Sequence, residues 1–161
     1  TFWEGNDYTV TKIGDTAFSY YAAVTSITIP DSVISIGNNA LAGCEGIDSL
    51  VLPDSVVDIG KNAFEMCHMM TTLIIGSGVK TIGENAFVSC FSLANVYIDS
   101  PYVAAMLTGT GWDVAGGILS AASTRTLYIR SDIVSLLPEW FTQNYTQGAT
   151  VDGYVAYLIE A

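Results

Sequence analysis

The sequence repeats itself at a fixed interval of 23 residues. Ile-Gly pairs occur at 13–14, 36–37, 59–60 and 82–83, and each Gly is followed three residues later by Ala. A fixed period of about 20–29 residues is typical of a solenoid, in which no unit buries its apolar face alone and each stacks on its neighbours. This repeat constrains the architecture more strongly than any other feature of the chain.

When the units are aligned on these pairs, further apolar positions recur. They are Val10, Val33, Val56 and Val79; Ile27, Leu50, Leu73 and Val96; and Ile29, Leu52, Ile75 and Ile98. The last two sets alternate with other residues, which predicts a half-buried strand. The A-F-x-x-C-x-x-L spacing predicts a helical turn. Pro-Asp-Ser at 30–32 and 53–55, and Gly-Ser-Gly at 76–78, predict the turns that end the strands.

Two other positions in the repeat indicate close contact between coils. We expect the Gly of each Ile-Gly pair to adopt a positive φ or to let adjacent coils approach closely. We expect Asn39, Asn62 and Asn85 to form an internal ladder that bonds backbone groups of neighbouring coils, the alternative being an exposed row of ligand-binding amides.

The three cysteines, Cys44, Cys67 and Cys90, also lie 23 residues apart. An odd number cannot pair completely, so the spacing predicts an inward row of core thiols rather than a disulfide framework. Tyr21 occupies the same register in the first unit, which favours a packing role for this position.

Composition excludes several classes of function. The 161 residues carry 16 acids against 5 Lys and Arg, a formal net charge of −11, which disfavours nucleic acid and anionic lipid as partners. No apolar run reaches the ~18 residues of a membrane span. The first residues, Thr1–Gly5, lack a start Met and the pattern of a signal peptide, so we interpret the chain as a piece of a longer product.

The repeat line I-G-x-x-A-F-x-x-C-x-x-L-x-x-I-x-I-P resembles the BspA-like leucine-rich repeat, also called the Treponema pallidum type, over about residues 8 to 101. The resemblance implies an α/β fold: a right-handed leucine-rich-repeat solenoid of about four coils, with a strand on one face and a short helical or irregular segment on the other. It also implies an extracellular or cell-surface protein that serves attachment or protein binding, with no catalytic residues.

After residue 101 the period breaks, and we interpret 102–161 as an irregular α/β C-terminal cap of the same structural domain as the solenoid, 1–101. Its predicted elements are short helices at 102–107 and 117–122, a fifth strand of the sheet at 126–130, a helical stretch at 133–145 interrupted by Pro138, and one closing strand at 151–159.

Few residues suggest chemistry. His68 neighbours Cys67, but adjacent residues in a turn point in different directions and Cys67 belongs to the core row. Three cysteines in a row do not make the tetrahedron that zinc prefers. Asp31 and Asp54 share a turn position where calcium is conceivable, although turn formation explains both acids. We therefore predict no enzyme, no metal and no cofactor; a hydrolase site within 102–161 has no motif behind it.

The outward side of the strands is the candidate binding surface. Between the inward residues lie Thr28, Val51, Ile74, Tyr97 and Tyr128, a row that changes from polar to aliphatic to aromatic. An apolar row on an acidic protein is a candidate recognition surface. The family resemblance implies that its ligand is a protein or a host glycoconjugate, and hence that the chain serves adhesion. The alternatives are that the C-terminal segment covers the row, that strand propensity alone selects these residues, or that the repeats are a spacer without a ligand.

Overall fold

The computed structural model describes residues 8–107, 117–118 and 124–159. The described chain forms a solenoid in which successive coils add one strand to a long sheet and one short strand to a second sheet. The long sheet has the order β3 (Ser49–Leu52), β5 (Thr72–Ile75), β7 (Asn95–Ile98), β8 (Arg125–Arg130), β10 (Tyr154–Ile159) and β9 (Gln147–Val151). The second sheet has the order β1 (Lys12–Ile13), β2 (Ser35–Ile36), β4 (Asp58–Ile59) and β6 (Thr81–Ile82).

The register of the long sheet reproduces the sequence period. Ser49 lies opposite Thr72, and Thr72 lies opposite Asn95, each pair 23 residues apart in parallel strands. The strand β8 then pairs in parallel with β7, with Thr126 opposite Asn95, so the predicted fifth strand follows the 31-residue excursion. The segment around Thr28 is not a regular strand, and the hydrogen-bonded ladder of the long sheet begins one coil later, at β3.

The predicted helical turns after each Ile-Gly pair are wrong. These segments are chains of tight turns whose N–H groups donate to the next coil, as Phe64 N donates to Ala86 O at 2.8 Å. A right-handed helix cannot continue there because one residue of each turn is left-handed: φ is 53° at Asn39, 55° at Asn62 and 58° at Asn85. The second sheet, made of two-residue strands, was not predicted from the repeat.

The glycines of the Ile-Gly pairs serve close approach rather than a positive φ. None of these glycines is among the described residues with φ above zero. A Cβ on Gly60 would lie 2.6 Å from Asn38 N and 2.6 Å from Gly37 C. The coils therefore meet backbone to backbone at this position, which only glycine allows.

The predicted Asn ladder is present in a different form. Asn39, Asn62 and Asn85 are half-buried, and Asn62 Nδ2 donates to Asn39 Oδ1 at 3.4 Å rather than to backbone. The bonds to backbone come from the preceding residue, since Asn38 Oδ1 accepts from Lys61 N at 2.9 Å. The left-handed φ at positions 39, 62 and 85 explains why Asn occupies them, because Asn tolerates that conformation better than most residues.

The C-terminal region continues the sheet and closes one end of the solenoid. The helix α1 (Pro101–Ala105) begins after Ser100, whose Oγ accepts from Val103 N at 3.1 Å, and a 3-10 helix at Ser131–Leu136 leads through Pro138 into α2 (Glu139–Asn144). Arg125 is buried, and its Nη1 donates to Ile118 O at 2.5 Å. Most of the predicted helix at 117–122 lies outside the described residues.

The single closing strand predicted at 151–159 is wrong. The chain instead forms an antiparallel hairpin of β9 and β10, with a two-residue turn at Asp152 and Gly153, where φ is 50° and 83°. A two-residue hairpin turn requires a positive φ at both residues if its twist is to match that of the flanking strands. The Asp-Gly dipeptide in the sequence was a usable signal for it.

One hydrophobic cluster runs from Ile29 in the first coil to Ile159 in β10. Cys44, Cys67 and Cys90 lie inside it as free thiols, as the repeat predicts, and each Sγ lies within hydrogen-bonding distance of a carbonyl oxygen of the preceding coil. Tyr21 does not share this role, because it is 64% exposed on the first coil, where no described coil precedes it.

Candidate functional site

The predicted strand-face row forms a continuous line across the parallel strands. Val51 lies opposite Ile74, Ile74 opposite Tyr97, and Tyr97 opposite Tyr128. Val51 is 54% exposed, whereas Ile74 and the two tyrosines are half-buried. Thr28 is exposed on the first coil and borders a shallow depression with Val51, so it lies at the end of the row without belonging to a strand.

The aromatic end of the row is a packed cluster. The rings of Tyr97 and Tyr128 stack with their centroids 4.4 Å apart and their planes 9° apart, and Tyr154 meets Tyr97 edge-on at 5.3 Å. Such ring pairs contribute about 0.5–1.5 kcal/mol beyond the area they bury. The cluster therefore holds a rigid aromatic surface at one end of the row. Tyr154, which the sequence interpretation did not assign to the site, is part of this surface.

The hydroxyl of Tyr154 anchors the cluster to the neighbouring strand. It donates to Asp99 Oδ1 at 2.7 Å, where Asp99 follows the last residue of β7. Burial, followed by the hydrogen bond to Asp99 and its negative charge, raises the pKa of Tyr154 to about 12. The hydroxyl thus stays protonated and keeps Asp99 in place throughout the neutral range.

We expect this bond to be visible in an NMR titration of the tyrosine rings. The folded pKa lies above the ordinary value of about 10, so the bond contributes stability that is present below pH ~10 and is lost as the pH rises towards 12. Asp99→Asn should move the Tyr154 transition to lower pH, because it replaces the carboxylate by a neutral acceptor. The variant Tyr154→Phe identifies the ring signal of Tyr154, because that signal is then missing from the spectrum. A Tyr154 transition that Asp99→Asn leaves unchanged would contradict this account.

The described C-terminal hairpin extends the sheet sideways instead of folding over the row. Ala156 lies opposite Tyr128 in β10, and the outward residues of β10 continue the same face, ending at Leu158, which is exposed. At the aromatic end of the row, the Tyr154 ring of the hairpin packs against the side of Tyr97. The row is therefore an open surface with respect to these residues.

The residues considered for nucleophilic chemistry are not brought together. Cys67 points into the core and its Sγ lies 3.6 Å from Leu41 O, whereas the His68 ring stacks on Phe91 and lies 4.0 Å from Glu45. The hydrogen bond with Cys90, together with burial, raises the pKa of the Cys67 thiol. A buried, protonated thiol is a poor nucleophile.

The described part of the chain also contains neither a metal-binding cluster nor a membrane-spanning helix. No group of three or more His, Cys, Asp or Glu side chains within it could hold a metal ion, and Asp31 and Asp54 form no such group. No helix within it is both long enough and apolar enough to cross a membrane.

These features define a leucine-rich-repeat solenoid with an open strand face. A family model described as the BspA type leucine rich repeat region, in 6 copies, matches residues 7–104. The chain belongs to this family. Proteins with this repeat fold generally serve as binding or scaffold modules and interact with other proteins.

Solved structures agree with this assignment. A leucine-rich repeat protein from Bacteroides ovatus ATCC 8483 is 38% identical with a TM-score of 0.53. It matches over 56% of this chain and 24% of its own. The Treponema pallidum leucine-rich repeat protein shares the fold at 23% identity and a TM-score of 0.50, over 56% of this chain and 53% of its own. The chain thus spans about a quarter and about half of these two proteins. No curated protein matches the sequence.

Proposed function

We propose that this chain is a non-catalytic binding module of a cell-surface or secreted protein, and that it contacts a protein or glycoconjugate of a host or matrix in adhesion. The binding surface is the strand-face row of Thr28, Val51, Ile74, Tyr97 and Tyr128. The observation that carries the proposal is the register of this row, which lines up Val51, Ile74, Tyr97 and Tyr128 on successive strands, with Val51 exposed and the other three half-buried.

The row has the physical properties of an interface core. Stacking holds Tyr97 and Tyr128, so little side-chain entropy would be lost on binding, and a tyrosine offers both apolar area and a hydroxyl. Parallel strands lie about 4.8 Å apart, so the four positions from Val51 to Tyr128 span roughly 14 Å, which suits the central cluster of an interface that buries about 800 Å² on each partner.

We expect the double variant Tyr97→Ser/Tyr128→Ser to lose at least tenfold in affinity for any ligand found on an array of glycans and matrix proteins. The loss follows from removing the rigid aromatic surface, while the fold should lose about 2–4 kcal/mol, because each half-buried ring gives up apolar area as well as its ring contacts. Binding is measured by surface plasmon resonance, and folding by a urea titration.

The matched control is Tyr20→Ser/Tyr102→Ser, which removes two exposed tyrosines away from the row and should bind normally. Unchanged binding by the Tyr97/Tyr128 variant would refute the row as the binding surface. An array on which the wild-type chain binds nothing would favour the spacer.

A further inference from the structure

The stack of tyrosine rings in the row ends at Tyr128, and the next strand offers no ring to continue it. Tyr97, Tyr128 and Ala156 lie opposite one another in β7, β8 and β10, which are neighbours in the long sheet. The rings of Tyr97 and Tyr128 stack with their planes 9° apart. An alanine therefore occupies the position from which a third ring would extend the stack.

The geometry of the stack shows which way the second face of Tyr128 points. Because Tyr97 covers one face of Tyr128 from the side of β7, the opposite face is turned towards β10 and Ala156. Tyr154 does not cover this face, since its ring meets Tyr97 edge-on and its hydroxyl is bound to Asp99. Among the described residues, Tyr97 supplies the one ring that contacts Tyr128. The β10 side of the Tyr128 ring is thus an uncovered aromatic face.

The space over Ala156 is a notch with small or apolar surroundings. Gly148 of β9 lies beside it, because a Cβ on Gly148 would be 3.8 Å from the Ala156 Cβ. Two residues further along β10, Leu158 projects from the same face of the sheet and is 51% exposed. We call the space bounded by Tyr128, Gly148, Ala156 and Leu158 the tyrosine notch.

We infer that the tyrosine notch takes an aromatic side chain of a partner protein, which stacks on Tyr128 as the third ring of the series; this inference rests on the proposed binding function. Neighbouring strands lie about 4.8 Å apart, and stacked rings favour centroid separations of about 4.5–7 Å. A ring above Ala156 is therefore at stacking distance from Tyr128. The 4.4 Å separation of Tyr97 and Tyr128 is an example of the same match within the chain.

The lining of the notch favours an aromatic side chain over a sugar ring. Ala156, Gly148 and Leu158 have no side-chain group that forms hydrogen bonds, so sugar hydroxyls would lose water there without a side-chain partner. A planar apolar ring loses no such bonds, and it would cover the exposed Leu158. Aromatic residues are also the ones that most often dominate the binding energy of protein interfaces.

The test is an NMR titration of the chain with the peptide acetyl-Gly-Trp-Gly-amide, compared with acetyl-Gly-Leu-Gly-amide, which is apolar but has no ring. We expect the tryptophan peptide to bind more tightly by roughly threefold or more, the contribution of one ring stack. It should shift the ring signals of Tyr128 and the methyl signal of Ala156. Equal binding of the two peptides, or shifts confined to residues outside the notch, would overturn the inference.

A neutral sugar chain, maltohexaose, is the second probe. We expect it to leave the signals of Tyr128 and Ala156 unchanged at concentrations where the tryptophan peptide shifts them. If maltohexaose shifted these signals at lower concentration than the peptide, the notch would be a sugar subsite and the inference would be wrong.

The variant Ala156→Tyr should supply the missing ring from within the chain. We expect it to raise the urea midpoint, because the new ring stacks on Tyr128, and to weaken binding of the tryptophan peptide by roughly threefold or more. Its matched control is Ala22→Tyr, which adds a tyrosine at an exposed position of the first coil and should change neither quantity. A lower midpoint for Ala156→Tyr would show that the space is closed, and unchanged peptide binding would place the peptide elsewhere; either result contradicts the inference.

The same variants separate this inference from the proposed function. If the Tyr97/Tyr128 variant loses the array ligand while Ala156→Tyr retains it, the strand face binds without using the notch, and the inference fails alone. If instead the tryptophan peptide binds at Ala156 while the Tyr97/Tyr128 variant keeps the array ligand, the notch stands and the row does not.

Discussion

Replacing Gly60 by alanine should destabilise the solenoid by at least about 3 kcal/mol, the upper end of what overpacking usually costs. The new Cβ would lie 2.6 Å from Asn38 N and 2.8 Å from Gly37 O, both of which are backbone atoms of the preceding coil. Backbone cannot rotate away as a side chain can, so the two coils must separate. Separation would stretch the bond from Gly60 N to Ile36 O, now 2.8 Å, and open the core beneath it.

The chain offers a matched control at the same position of the repeat. A Cβ on Gly14 has no atom within 4 Å among the described residues, because no described coil precedes it. Gly14→Ala should therefore leave the free energy of unfolding nearly unchanged. Both variants are compared by urea unfolding followed with circular dichroism. If Gly60→Ala and Gly14→Ala changed the free energy of unfolding by the same amount, close contact between coils would not be the reason for glycine at this position of the repeat.

Phe64→Ala should cost about 3–5 kcal/mol, a large share of the ~5–15 kcal/mol that stabilises a typical domain. Phe64 is fully buried, and its ring stacks on Phe87 with centroids 5.3 Å apart and planes 3° apart. Truncation removes the ring from the core and leaves a cavity between two coils. Since each coil contacts only its neighbours, loss of one such contact weakens the coupling along the whole solenoid.

Phe18→Ala is the corresponding change in the first coil, where the ring is 42% exposed. It should cost less than about 1.5 kcal/mol, because it creates no enclosed cavity. The measurement is again the urea midpoint, with the slope of the transition checked for a change in the surface exposed on unfolding. If Phe18→Ala lost as much stability as Phe64→Ala, it would contradict our account that neighbouring coils enclose the Phe64 ring on both sides and leave the Phe18 ring partly open.

The regular coils were predictable because one interval appears both in the sequence and in the structure. The 23-residue spacing between Leu50 and Leu73 in the sequence is the same as the register between β3 and β5. The alternation of apolar residues then defines which side of each strand is buried. For this reason, the positions of Val51, Ile74, Tyr97 and Tyr128 on one face followed from the sequence alone.

The local conformation within the coils was not predictable in the same way. The A-F-x-x-C spacing fits a helix and a chain of turns equally well, and the left-handed φ of Asn62 decides between them. Beyond residue 101 no repeat remained to align. The helix at Pro101–Ala105 could be recognised from its proline, but the pairing of β9 with β10 depends on a turn whose Asp-Gly signal was not used.

The sequence by itself determined the period, the buried side of each strand and the row of outward residues, since all three follow from which positions are apolar. Only the tertiary structure decided which outward residues meet. Tyr154 reaches Asp99 across 55 residues of sequence, and Asp54 accepts a hydrogen bond from Ser77 N in the turn of the next coil. Such contacts depend on how coils stack and how the C-terminal hairpin returns, which a linear pattern does not record.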